Sequence, residues 1–191
     1  MRDYKHDSQL VRDAYRYAAV RHAGQVKDSD GTPYLDHLVD VARLVEQAGY
    51  GDDVIAAGLL HDVVEKGGAS VDEVREEFGD DVADLVAAMT EPEDIKSWSR
   101  RKRAHRRRIA RADPRARALF VADKAANAAA LRRALEHGEY PARFKEKLGH
   151  YQATLTMLDG GPLARRLRDE LDRLSAQQAP AANKSQLRAP S

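Results

Sequence analysis

The sequence contains no cysteine. Disulfides and thiolate metal sites are thereby excluded, and any metal must be held by imidazole and carboxylate. Aromatic residues are scarce, at 6% with a single tryptophan, which disfavours a surface that stacks single-stranded bases on ring after ring. Long apolar runs are missing as well. None approaches the roughly 20 residues that cross a bilayer, and the opening Met-Arg-Asp-Tyr-Lys-His-Asp lacks the apolar core of a signal peptide. These absences lead to the expectation of a cytoplasmic protein with no membrane partner. Charge of one sign is not in excess either, with 32 Lys and Arg against 31 Asp and Glu. Global charge therefore makes no case for nucleic acid; only a local patch would. There is no internal repeat and no strand-period segment of useful length.

What is present points to helices. Ala, Leu, Val, Arg, Glu and Asp dominate. A chain of 191 residues suits one domain with a substantial core. The expected fold is all-α, a helical bundle over residues 1–174, with residues 175–191 as a disordered tail that has little to bury.

One stretch organises the rest: Ile55-Ala-Ala-Gly-Leu-Leu-His-Asp-Val-Val-Glu-Lys66. Ile55, Ala56, Leu59, Leu60, Val63 and Val64 recur at helical spacing and predict a buried stripe. His61, Asp62 and Glu65 lie beside it, with Glu65 one helical turn on. A His–Asp pair alone more often marks the polar end of a helix than a metal site. Other ligands elsewhere would change that reading.

Taken in order, Asp7 or Ser8 can cap a first helix that ends near His22 and Gly24. Gln25 to Tyr34 is a polar loop. A second helix follows Pro33 and carries His37 in its first turn, where a satisfied core histidine and a ligand are both open readings. Ser70-Val-Asp-Glu73 matches a capping box. Asp80 to Thr90 predicts another helix. Lys96 to Arg111 is strongly basic, with Arg100-Arg-Lys-Arg-Ala-His-Arg-Arg-Arg108 at its centre. This run is either a solvated face or an anion platform. Pro114 opens a long helix to about His137. Within it Asp123 follows an apolar run, so it begins inside the fold, and Asn127 is one turn later. Ala142 to Leu158 and Leu163 to Leu174 predict the last two helices.

His37, His61, Asp62 and Asp123 share a character: each sits at an apolar stripe. Two imidazoles and two carboxylates suit a divalent ion such as Mn²⁺, Fe²⁺ or Zn²⁺, and helical bundles assemble such sites from facing side chains. The order His … His-Asp … Asp resembles the signature of the HD superfamily of metal-dependent phosphohydrolases. Longer blocks resemble the hydrolase domain of RelA/SpoT homologues: His22-Ala-Gly-Gln25, Gly31-Thr-Pro-Tyr-Leu-Asp-His37, Ala56-Ala-Gly-Leu-Leu-His-Asp-Val-Val-Glu65, Phe78-Gly79 and Ala122-Asp-Lys-Ala-Ala-Asn127. The match runs from about Tyr15 to Leu158. It implies an HD-domain helical bundle and a stand-alone alarmone hydrolase. Such an enzyme uses Mn²⁺ to remove the 3′-diphosphate of guanosine tetra- or pentaphosphate. By position, His37, His61, Asp62 and Asp123 would hold the metal. Glu65 would activate water, and Asn127 would contact the nucleotide. Lys27, Lys124 and Arg143 are the candidate phosphate contacts.

Two positions depart from the family pattern. Lys66 stands where a second acid is usual, and it can pair with Glu65, grip a phosphate, or mark a redirected or weakened enzyme. Lys27 is the nearest base where an Arg is usual, and it lacks the planar fork. Hydrolysis of a related nucleotide, such as an adenosine alarmone or NADPH, is therefore a competing expectation, as is a nucleotide-binding protein without turnover. The sequence leaves the oligomeric state open.

Overall fold

Val54 to Leu60 are all buried, so the organising stretch is a core helix from its first turn. The computed structural model describes residues 4–158 and 160–185. In chain order it has α1 (Gln9–Arg21), α2 (Tyr34–Gln47), α3 (Asp52–Leu60), α4 (Val63–Lys66), α5 (Val71–Phe78), α6 (Asp80–Met89), α7 (Trp98–Ile109), α8 (Pro114–Glu136), α9 (Phe144–Gln152) and α10 (Gly161–Ser185). Among the described residues there is no strand, only an isolated bridge between Val26 and Pro33. The all-α expectation holds.

The two central helices are apolar on nearly every side. Leu119 to Ala126 in α8 are buried without a break, the pattern of a helix enclosed by others. α2 and α10 pack along α8, while α1 and α2 flank α3. Gly58 lets α2 and α3 come close: a Cβ there would lie 3.1 Å from the Cα of Ala42. Local signals in the sequence are realised. Ser70 and Glu73 bond each other's backbone as a capping box, and Asp113 caps α8 through the Arg115 N–H at 2.7 Å.

Three expectations are corrected. The organising helix does not run unbroken to Lys66. His61 Nδ1 bonds the Gly58 carbonyl at 2.8 Å, the group that a continuing helix would offer to the Asp62 N–H. The chain turns at His61–Asp62 and restarts as α4. The helix expected over 142–158 covers Phe144–Gln152, with a 3₁₀ turn at Leu155–Met157 after it. Finally, the last helix passes Leu174 and continues to Ser185. The tail expected from Ser175 is thus helical over its first part, held by a bond from Gln177 to Glu136 of α8. Its end, residues 186–191, lies outside the described residues.

Candidate functional site

His37 comes from the first turn of α2, His61 from the break after α3, and Asp123 from the middle of α8. All three are buried, with ligand atoms within 4.8 Å of one another. Nε2 of His37 lies 3.2 Å from Asp123 Oδ1, and Nε2 of His61 lies 3.6 Å from the same oxygen. With Nδ1 of His61 committed to the Gly58 carbonyl, its buried Nε2 has no hydrogen-bond partner. An imidazole fixed by its Nδ1–H and aiming a free Nε2 at a carboxylate is the arrangement of a metal-ligating histidine. The donor set therefore fits a divalent ion.

Asp62, the fourth predicted ligand, stands at the edge of this triad. Its Oδ2 is 3.4 Å from His61 Nε2 but also accepts from the Tyr34 hydroxyl and from Lys66 Nζ at 2.9 Å. Lys66 thus pairs with Asp62, not with Glu65. Lys66 Nζ donates to the Tyr34 oxygen as well, closing a three-membered polar knot. Burial opposes charge on both aspartates. Lys66 and His61 outweigh it at Asp62, and Lys124 and the two histidines outweigh it at Asp123, holding both carboxyls well below the usual range. Burial, then Lys27, depresses His37 to about 3, so its ring is neutral. Burial also works against charge on His61, but Asp62 and Asp123 lift it to about 10. Two buried carboxylates attract one positive charge to this spot. A proton on His61 can answer it, and a divalent ion can answer it with His61 neutral.

The triad opens onto a cavity of about 960 Å³. His61, Asp62, Glu65, Lys66, Asp123, Lys124, Asn127 and Lys27 line it. Neither His37 nor Arg143 is on its wall. Arg143 instead lies over the Trp98 ring, 5.9 Å from its centroid, while Trp98 lines the cavity. Glu65 sits at the rim, where its Oε1 accepts the Glu91 N–H at 2.5 Å. Desolvation and the nearby Asp62 push its carboxyl up. Asn127 is a relay: its Nδ2 donates to Asp123 Oδ1, and its Oδ1 accepts from Lys27 Nζ, each at 2.6 Å. Burial lowers the Lys27 ammonium to about 8. Lys124 pairs with Asp123 while its Nζ sits 4.2 Å from the Phe120 ring centre.

Of the basic run read as a solvated face or an anion platform, Arg101 and Lys102 of α7 do reach the cavity, already held by Glu91. Other cavity residues were not foreseen. Lys147 and His150 arrive from α9. Lys147 and His150 are one turn apart, so spacing puts them on one helix face but does not show that this face meets the cavity. Tyr34 lies in the Gly31–His37 block, but nothing in sequence shows that its hydroxyl reaches Asp62. Part of the basic run of α7 is also internally satisfied: Arg108 donates to the carbonyls of Ala88 and Thr90.

Residues 14–153 match the model of the HD domain family. The chain is 32% identical over 143 residues to the guanosine-3′,5′-bis(diphosphate) 3′-pyrophosphohydrolase MESH1 of Xenopus tropicalis, covering 73% of this chain and 79% of that protein. It is 36% identical over 137 residues to its counterpart in Homo sapiens, covering 70% and 76%. A solved structure described as a metazoan ortholog of SpoT that hydrolyzes ppGpp superimposes with a TM-score of 0.75 at 29% identity, covering 91% of this chain and 99% of that one.

Proposed function

The chain belongs to the HD domain family, and from that membership we propose that it is a metal-dependent hydrolase releasing pyrophosphate from the 3′ position of guanosine tetra- and pentaphosphate. The observation that carries the reading is the buried His37–His61–Asp123 triad opening onto a cavity whose wall carries several lysines among its carboxylates. A cavity of about 960 Å³ suits a nucleotide-sized ligand. Lys27, Lys102, Lys124 and Lys147 supply the charge its phosphates need. The proposed metal is Mn²⁺, held by His37, His61, Asp123 and Asp62. Bound there, it supplies an acidified water and a polarised phosphoryl oxygen.

The chain's own residues supply the rest. Water adds to the phosphorus attached to the 3′ oxygen, that P–O bond breaks, and pyrophosphate leaves a free 3′ hydroxyl. Glu65, more basic than an ordinary glutamate, takes a proton from the attacking water. Lys27 and Lys124 offset charge that grows on the phosphoryl oxygens. Asn127 positions Lys27 and Asp123 relative to each other rather than only touching the nucleotide. Lys66 holds Asp62 and Tyr34 and presents a cation at the cavity mouth. Arg143, off the wall, acts on the substrate only by way of Trp98.

A variant series tests these assignments. His61→Ala and Asp62→Ala are expected to lose metal on dialysis, read by elemental analysis. Glu65→Gln is expected to retain the metal and lose turnover. Full turnover in Glu65→Gln removes it as the base.

A further inference from the structure

Away from the catalytic cavity, α7 turns a second basic face to solvent. Arg103, Arg106 and Arg107 lie at successive helical steps on it. With Arg117 of α8 they line a separate groove of about 440 Å³. The rest of the lining is neutral: Ala110, Ala153, Thr156 and Met157. Among the described residues no carboxylate lines the groove, and neither Arg103 nor Arg107 has an ion-pair partner there. This contrasts with the other arginine clusters. Arg101 meets Glu91, Arg75 meets Asp80 and Asp84, and Arg115 meets Asp53, Asp81 and Asp113. Like charges one turn apart on a helix repel, and here no described residue of the wall offsets them. Arg106 is half-buried, and its one polar side-chain contact is the neutral Nδ1 of His150.

We propose that this groove is a second anion site, separate from the catalytic cavity, that takes a short oligophosphate chain on Arg103, Arg106, Arg107 and Arg117. Guanidinium forks match phosphate oxygens in pairs, and four of them around a concavity suit several linked phosphates rather than one. A groove of 440 Å³ is the size of a small-molecule site and does not extend into the long track that a nucleic-acid backbone follows. The site touches the catalytic cavity at one point, because Arg106 reaches His150, which lines that cavity.

The probe is inorganic tripolyphosphate, titrated by calorimetry into the metal-free full chain. Two binding events per chain are expected, one at each basic site. The double variant Arg103→Gln/Arg107→Gln keeps both exposed side chains polar. It is expected to lose one event, with affinity there falling by at least about tenfold as charge-assisted contacts disappear. The cavity double variant Lys102→Gln/Lys147→Gln is expected to weaken the other event and leave the groove event intact. Helical circular dichroism checks that each variant is folded. A single event in the native chain that is untouched by Arg103→Gln/Arg107→Gln overturns the proposal. So does a groove that ignores tripolyphosphate yet binds a single-stranded oligonucleotide with a steep salt dependence, which would assign it to nucleic acid.

Discussion

Lys66 changes the meaning of the residues around it. Its ammonium is 2.9 Å from Asp62 Oδ2, so a carboxylate expected to serve a metal is shared with a cation of the chain itself. A cation beside a ligand lowers that ligand's hold on a second cation. Lys66→Ala is therefore expected to tighten Mn²⁺ binding by about tenfold, roughly 1.4 kcal/mol, as measured by calorimetry on the metal-stripped protein. Unchanged affinity would mean that Asp62 does not contribute to the ion. The same variant separates two accounts of turnover. If Lys66 grips phosphate, KM rises; if it only restrains Asp62, KM is unmoved. Tyr34→Phe removes the hydroxyl that shares Asp62 and is expected to shift metal affinity in the same direction, by less.

At the scale of elements, the site depends on how closely α2 and α3 approach. His37 and His61 belong to different helices, and Gly58 sets the distance between them. A methyl group at position 58 would meet the Ala42 backbone at 3.1 Å. Backbone gives way less readily than a flexible side chain, so Gly58→Ala is expected to cost about 1–3 kcal/mol, a typical overpacking penalty, in urea unfolding. It should also weaken metal binding, because the helices part. Unfolding unchanged and metal affinity unchanged would remove Gly58 from the account. Much of this architecture was legible in the sequence. The apolar stripes located the helices, and His37, His61 and Asp123 each sat against a stripe, so burial and convergence followed. The break at His61–Asp62 was not legible, because a side chain bonding its own helix's carbonyl leaves no trace in apolar periodicity. Nor was the pairing of Lys66, since the choice between Glu65, Asp62 and a phosphate is made by side-chain direction after the helix has turned. Lys147 and His150 escaped because α9 reaches the cavity through tertiary packing alone. The continuation of α10 was hidden by a composition that reads as tail, while its stability comes from α8.

Across the whole molecule, one buried carboxylate of α10 reaches α8. Glu170 is fully buried and meets Arg132 at 2.9 Å and Arg166 at 3.1 Å. Removing it leaves guanidinium groups at an apolar seam. Glu170→Ala is expected to destabilise the chain by about 3 kcal/mol, the lower end for a broken buried pair because the arginine heads reach solvent. A loss under about 0.5 kcal/mol, the scatter of ordinary surface changes, would show that apolar packing alone holds α10. Acid should also loosen the fold through α7. His105 is buried against Phe120, donates Nε2–H to the Ala88 carbonyl at 2.9 Å, and is held down to about 4 chiefly by burial, then by Lys124. The folded state thus favours the neutral ring. Its contribution is complete above about pH 6.5, the ordinary histidine value, and is lost as pH falls toward 4. That drop is worth about 3 kcal/mol at roughly 1.4 kcal/mol per unit. His105→Gln should flatten the stability–pH curve over this window; an unchanged slope would place the acid sensitivity elsewhere.

The most direct test of the central claim is product analysis with the native chain, stripped of metal and reloaded with Mn²⁺. Guanosine tetraphosphate, its adenosine counterpart and NADPH are supplied separately. The structure and the family membership predict pyrophosphate from the guanosine alarmone, dependent on metal and absent in His61→Ala. No pyrophosphate from a chain that demonstrably holds its metal, with activity appearing only in Lys66→Asp or only as phosphate from NADPH, would contradict the proposed reaction and leave an HD domain turned to another use.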